Sequence, residues 1–404
     1  MEQELVPELR FPEFEDAGEW EPKKLGDKEV SDFVKKRLSL GELSIETYVS
    51  TENILADFSG IAVASKLPPS GSFTAYKRGD ILLANIRPYL KKVWVANRSG
   101  GASNDVVVVR PKNGNAFLSC ILKNEVFINY VMQGAKGVKM PRGDIALMKE
   151  YSIAVPSLEE QQKIADCLSS LDELITANTQ KYEALQSYKK GLMQNLFPYE
   201  GETVPKLRFP EFEDAGEWVE EPLEKVAKYE NGKAHEQGIT ESGDFVVVNS
   251  KFISTNGEVK KYTNEVFCLA RKGDILMVLS DVPNGRAIAK CFFVDADNHY
   301  TVNQRICKLT PKKAVSIMLF YSLNRNPYFL AFDDGVKQTN LKKDDVLNCP
   351  LLLPKDIEEQ QKIADCLSSI DDLITAQAQK IEELKAHKKG LMQQLFPSVN
   401  EVRA

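Results

Sequence analysis

Apolar residues recur in alternating steps of four and three along two stretches of the chain. The first carries Ile164, Leu168, Leu171, Ile175, Tyr182, Leu185, Leu192 and Leu196; the second carries Ile363, Leu367, Ile370, Ile374, Ile381, Leu384, Leu391 and Leu395. This alternation is a heptad seam, narrower than the apolar face of a globular helix. It predicts two long helices, each of about 40 residues and, at ~1.5 Å rise, roughly 60 Å long. Ser157 with Glu160, and Asp356 with Glu359, have the spacing of capping boxes at the two starts. Pro198 and Pro397 end the helices, because proline cannot continue the hydrogen-bond ladder. Asn178 and Lys189 interrupt the first seam, and Gln377 and Lys388 the second. Polar seam positions of this kind are either tolerated interruptions or devices that fix register and partner number at some cost in stability.

The stretches also repeat letter for letter. Residues 159–170 and 358–369 both read EEQQKIADCLSS, and 189–194 and 388–393 both read KKGLMQ. Further upstream, residues 9–20 and 207–218 both read LRFPEFEDAGEW. The repeat unit is therefore an acidic aromatic leader, a body and a long helix. The expected divisions are a leader at 1–20, a first body at 21–155 and a first long helix at 156–198. A linker with the second leader follows at 199–218, then a second body at 219–353 and a second long helix at 354–398.

Two helices of one chain with matching seams are expected to pair. A parallel pair would put both bodies at one end of the rod. An antiparallel pair separates them, makes the chain pseudo-two-fold and returns its C-terminus to its start. A protein that reads two separated sites needs the antiparallel arrangement.

The bodies mix strand and helix patterns. In the first, residues 80–84 (DILLA), 93–96 and 105–110 (DVVVVR) read as strands, with turns at 77–79 and 99–101, and 117–133 reads as helical. In the second, 245–249, 274–279, 287–294 and 305–309 read as strands, 315–324 as helical and 346–353 as a closing strand. Both are α+β, and in each a Gly-Asp-Ile-Leu run (79–82 and 273–276) opens a strand. Beyond such anchors the two bodies show little likeness. Duplicated leaders and helices suggest one kind of partner bound twice. Diverging bodies of similar size suggest one class of ligand read in two ways.

A length of 404 residues calls for several domains. No apolar run approaches a membrane span, and the opening MEQELVPELR lacks the pattern of a signal peptide. Seven cysteines without a CxxC read as free thiols in a reducing cytoplasm, and three histidines leave little for a zinc site. The net charge of −6 argues against nucleic acid only until its distribution is considered. Residues 21–150 hold 20 Lys and Arg against 13 Asp and Glu, a net of +7, and residues 219–353 hold 18 against 17, a net of +1. The leaders and helices carry the acid.

Catalytic motifs are scarce. GxGxxG, GxxxxGK[ST] and HExxH are absent. Residues 326–329 (NPYF) resemble part of an adenine methyltransferase loop but lack its second proline, and read as a helix-ending turn. Asp244, Glu258 and Lys260 match a nuclease metal site in fragments, while Asn256-Gly257 points to a hairpin there.

Features suited to DNA are softer and more numerous. Residues 86–94 (IRPYLKKVW) interleave Arg87, Tyr89, Lys91 and Lys92 with apolar residues, and 134–142 (GAKGVKMPR) form a glycine-bearing basic loop with Lys136, Lys139 and Arg142. The counterpart in the second body is 335–343 (GVKQTNLKK), with Lys337, Gln338, Asn340, Lys342 and Lys343; Arg286 lies in the segment VLSDVPNGR at 278–286. Lysines 91, 92, 139, 342 and 343 suit phosphates, while Arg87, Arg142, Arg286, Gln338 and Asn340 also suit base edges.

Together these motifs make the chain similar to the specificity subunits of type I restriction-modification systems. The resemblance rests on the doubled EEQQKIA helices after a proline, the KKGLMQ helix ends, the Arg-Phe-Pro leaders and the Gly-Asp-Ile-Leu strands. It implies two target-recognition domains of mixed α/β structure, joined by two long helices in an antiparallel coiled coil with a pseudo-two-fold internal repeat. Each domain would read one half of a bipartite, asymmetric site in double-stranded DNA. Two adenine methyltransferase subunits carrying S-adenosylmethionine would bind the duplicated regions, and restriction subunits using ATP and magnesium can join them. The chain itself would hold no cofactor, no metal and no catalytic residue. The 86–90 segment has no clear match in the second body. The other readings are a non-catalytic coiled-coil scaffold with two protein-binding domains, and a metal-dependent nuclease.

Overall fold

A computed structural model describes residues 5–113, 115–235, 237–283 and 285–397. Its contacts divide the chain into two units, 1–180 with 378–404, and 181–377. The division cuts both long helices, Leu158–Leu196 and Ile357–Gln394.

In the first unit, Ile164 and Leu168 share a core with Leu391 and Leu395. In the second unit, Leu192 and Leu196 share a core with Ile363 and Leu367. Each unit therefore brings the start of one long helix to the end of the other, which is the antiparallel pairing. The seam periodicity is visible in the burial: Ile164, Leu168, Ile363, Leu367 and Ile381 are buried, and so are the polar seam residues Asn178 and Gln377. The seam lysines meet acids of the facing helix. Lys388 Nζ lies 2.6 Å from Asp172 Oδ1 in the first unit, and Lys189 Nζ 2.6 Å from Asp371 Oδ1 in the second.

The helix starts differ from the expected capping boxes. Glu160 N–H does donate to Ser157 Oγ at 3.3 Å, but the Glu160 carboxylate is turned away to the leader. It takes two hydrogen bonds of 2.8 Å from Arg10 and one of 3.2 Å from Trp20 Nε1. Glu359 does the same with Arg208, twice at 2.7 Å, and with Trp218 at 3.3 Å. Both carboxylates are 1% exposed, so a charge buried here depends on its guanidinium partner, with the indole N–H in support. Around each pair a lysine joins the leader to the helix, Lys163 to Glu13 and Phe11, and Lys362 to Glu211 and Phe209. Much of the duplicated sequence is thus consumed by internal contacts.

The bodies prove to share a scaffold. The first has an antiparallel sheet ordered Ser31–Phe33, Val106–Pro111, Ile81–Ala84 and Val93–Val95. The second has the same order in Ala227–Asn231, Ile306–Pro311, Ile275–Val278 and Cys291–Phe293. A smaller sheet accompanies each. Tyr48–Val49 runs parallel to Gly100–Ala102, as Phe245–Val248 runs parallel to Tyr300–Val302. The turn before each Gly-Asp-Ile-Leu strand is the same: Gly79 and Gly273 both have φ +90°, and Asp80 and Asp274 accept the backbone N–H of Lys77 and Arg271. The likeness is larger than a comparison of letters suggests, because a buried strand asks only for an apolar run and not for particular residues. Each body is closed by an antiparallel pair, Glu21–Lys24 with Ser152–Val155, and Val219–Pro222 with Pro350–Leu353.

Several local expectations are corrected. The helical stretch at 117–133 is two helices, Asn115–Leu122 and Glu125–Gln133, the second capped by Asn124. The strand expected at 287–294 is only Cys291–Phe293, and part of the closing strand is the short helix Lys343–Leu347. Asn326 begins a helical turn by accepting Tyr328 N–H. Asn256-Gly257 ends the helix Ser250–Ser254 with left-handed residues and a Gly257 N–H bond to Phe252, so no hairpin forms. Among the described residues, no cluster of three or more His, Cys, Asp or Glu can hold a metal. No helix there is long and apolar enough to cross a membrane.

Candidate nucleic-acid interface

In the first body, the strand Ile81–Ala84 runs out into a loop at 85–92. Pro88–Leu90 form a single 3-10 turn, bracketed by Arg87 and Lys91 in the left-handed region at φ +54° and +53°. Two such residues in one loop store strain that the surroundings must hold in place. The hold comes from the second basic loop. Arg87 N–H donates to Pro141 O at 2.7 Å, Gly143 N–H to Asn85 O at 3.0 Å, and Ile86 bridges Arg142. Lys136 and Arg142 exchange backbone hydrogen bonds of 3.0 and 2.9 Å, which closes the second loop on itself. The two segments singled out from sequence are therefore one surface.

Arg87, Tyr89, Lys136, Lys139 and Arg142 are exposed on that surface. Four of the expected contacts have partners inside the protein. Lys91 Nζ pairs with Glu125 at 2.5 Å, which raises the ammonium above its ordinary pKa and lowers the carboxyl. Lys92 Nζ donates to Thr51 O at 2.6 Å. Arg142 pairs with Asp105, and Lys136 lies 3.5 Å from Asp144.

The second body builds its counterpart differently. Ser280–Asp281 pairs with Thr339–Asn340, and Leu341 N–H donates to Leu279 O at 2.8 Å. Ser280 lies two residues past the end of its strand and pairs with Asn340, as Ile86 lies two past the end of its own and bridges Arg142. The segment that begins at Leu279 therefore occupies the place of the loop that begins at Asn85, although no sequence match reveals it. Asn340 matches Arg142, so the two basic loops align three residues away from the register expected from their glycines. Asp281, which sequence reasoning passed over, organises the segment: its carboxylate accepts from Val282 N–H at 2.9 Å, Ala287 at 2.6 Å and Ile288 at 3.1 Å. Its sequence signal is an acid directly before a Val-Pro-Asn-Gly turn.

Arg286, Lys337, Gln338, Asn340, Lys342 and Lys343 are all exposed. Gln338 Nε2 donates to Ser280 Oγ at 2.7 Å, and Lys343 lies 6.0 Å from the Tyr229 ring. In each body, then, the segment that follows the Gly-Asp-Ile-Leu strand is hydrogen-bonded to the second basic loop.

The model of the "Type I restriction modification DNA specificity domain" matches the chain twice, over residues 18–187 and 215–386. The chain belongs to this family, as a type I restriction-modification specificity subunit with two target-recognition domains. Among curated proteins it is similar to the type I restriction enzyme MjaVIII specificity subunit of Methanocaldococcus jannaschii, 27% identical over 412 residues, covering 96% of this chain and 93% of that one. Among solved structures it shares its fold with the S subunit of a type I restriction-modification system from M. genitalium, at a TM-score of 0.63 and 14% identity, over 98% of this chain and 100% of that one. A chain from a structure of type I restriction-modification complex assembly gives a TM-score of 0.54 at 19% identity, covering 94% and 98%.

Proposed function

We propose that this specificity subunit is the non-catalytic reader of its complex, in which each target-recognition domain recognises one half of a bipartite, asymmetric DNA site. The observation that carries the reading is the contrast within the chain. Two bodies on one scaffold present different residues at the same rim, on frames that are duplicated. Arg87, Tyr89, Lys136, Lys139 and Arg142 contact one half-site, with Lys91 and Lys92 adding phosphate contacts when released from their internal partners. Arg286, Lys337, Gln338, Asn340, Lys342 and Lys343 contact the other. The paired helices set the spacer, and half-sites lie about one helical turn apart on one face of the duplex, by analogy with dimeric readers.

Two adenine methyltransferase subunits dock on the duplicated helices. Supporting this, Leu158 and Ile357 are 59% and 50% exposed, and Leu174 and Leu373 are 43% and 53% exposed, at equivalent places of the two helices. Apolar groups left in water twice over suit a partner bound twice. Those partners carry S-adenosylmethionine, and restriction subunits with ATP and magnesium join them in the cytoplasm.

The test is methylome sequencing of a host expressing this chain with its neighbouring methyltransferase, against a host lacking this chain. A new bipartite motif methylated on adenine in both halves is expected, and exchanging residues 21–150 should change one half only. A stable complex that leaves no motif would favour the protein-binding scaffold instead.

A further inference from the structure

Once the two basic loops are aligned through Arg142 and Asn340, their tips carry the same three residues, Gly137-Val138-Lys139 and Gly335-Val336-Lys337. Both glycines have positive φ, +100° and +69°, a conformation that strains any residue with a Cβ. Both lysines are exposed. Val138 is 100% exposed and Val336 75%, which makes them the two most exposed large apolar side chains among the described residues. Singly, an exposed valine needs no explanation. The two extremes falling at one position of two otherwise diverging loops do.

The tips are also built to stand out. In the first body the exchange between Lys136 and Arg142 pinches the base of the loop and leaves 137–141 beyond it. In the second, Asp333 and Asp334 turn their carboxylates onto the backbone, accepting from the N–H groups of Gly335, Val336 and Lys337. Those two acids therefore brace the tip, and Lys337 remains the cation at its end. The basic rim residues beside the tips match the sign of a phosphate backbone.

We propose that Gly-Val-Lys is a sequence-independent clasp on the DNA backbone, the same in both target-recognition domains. The lysine ammonium meets a phosphate and the valine methyls pack against the adjoining deoxyribose. This rests on the reading of each body as a DNA-binding domain. It goes beyond that reading by dividing the rim between parts that choose the sequence and a part that does not. The argument is one of difference. Two bodies that read different half-sites cannot owe the difference to an identical contact, so the shared tip meets what the half-sites have in common. Contacts to sugar and phosphate position a protein without carrying sequence information.

The experiment uses the complex of the full chain with its methyltransferase subunits and two synthetic duplexes, one bearing the methylated motif and one with both half-sites scrambled. Lys139→Gln and Lys337→Gln are each expected to weaken binding to both duplexes by the same factor and to lower the slope of log affinity against log salt by about 1. Val138→Ser and Val336→Ser are each expected to weaken both by about fivefold with the slope unchanged. The motif written by every variant should be that of the unmodified chain. A changed base preference in one half-site would make the tip a reader and overturn the clasp. So would unaltered affinity, or a weaker complex with the methyltransferase in the absence of DNA, which would place the tip in a protein interface. An unmodified complex that binds neither duplex would overturn the DNA-binding reading itself, and the clasp with it.

Discussion

The loop after the Gly-Asp-Ile-Leu strand is held in two ways. In the first body its backbone is strained, with Arg87 and Lys91 left-handed and Lys91 tied to Glu125. In the second, a single carboxylate, Asp281, gathers the backbone N–H groups of Val282, Ala287 and Ile288. The frames differ hardly at all: Arg10 meets Glu160 at 2.8 Å and Arg208 meets Glu359 at 2.7 Å. The difference teaches where each kind of residue is constrained. Those buried between leader and helix must recur together, because each satisfies another. Those at the rim answer to whatever lies outside the protein, and have diverged around a common sheet.

The sharpest way to break the comparison is to remove its best-matched part. Glu160→Ala leaves Arg10 buried without a counter-charge, and Glu359→Ala does the same to Arg208. Each is expected to cost ~3–5 kcal/mol, the range for stripping one partner from a buried ion pair. The two losses, read by denaturant titration of the full chain, should agree within the error of the measurement. Unequal losses would show that the duplicated frame does different work in its two copies.

A smaller effect comes from the place where the frames do diverge. Tyr321 donates to Asp371 at 2.6 Å and lies under Lys189, whose Nζ is 5.1 Å from the ring centroid. At the equivalent helical position the first unit has Cys120, beside a cavity of about 250 Å³ that Lys123, Asp172 and Lys388 also line. Burial lowers the pKa of Lys123 and pushes the Cys120 thiol up to about 11. Tyr321→Cys is expected to destabilise by ~3 kcal/mol through lost packing and a lost hydrogen bond. Cys120→Tyr, which copies the filled arrangement, should stabilise by ~1 kcal/mol as a cavity-filling change. Thermal unfolding of both variants tests the pair. A destabilised Cys120→Tyr would mean that the surrounding charges do not accommodate the ring, and that the units diverge more deeply than one side chain.

What was legible in the sequence divides along the same line. The heptad seams, the repeat and the two basic loops could be read because each leaves a local signature in spacing or letters, whereas the antiparallel direction came from the need to separate the two bodies. The Arg10–Glu160 pair could not, since its partners are 150 residues apart and Glu160 also fits a capping box that its side chain does not complete. The common sheet was hidden for another reason. Buried strands accept many apolar residues, so Val106–Pro111 and Ile306–Pro311 hold the same place with little identity. The match between the segments beginning at Asn85 and at Leu279 emerged only from hydrogen bonding, because two chemistries hold one loop.

The least disruptive change addresses that loop directly. Lys91 is half-buried against Glu125, and Glu125 also lies 3.4 Å from Lys389. Exposed pairs of this kind are worth ~0–1 kcal/mol, so DNA can compete for the lysine. Glu125→Gln keeps the side chain's shape and removes its charge. If Lys91 serves a phosphate, the variant complex should bind every duplex about two- to fivefold more tightly, the gain expected from a lysine no longer shared with a carboxylate. The salt dependence should steepen, since a freed cation displaces another counterion. An unchanged affinity would put Lys91 outside the contact. A loss would show that the Lys91–Glu125 pair holds the left-handed turn in its binding shape. In that case the strained loop of the first body depends on an ion pair as the loop of the second depends on Asp281.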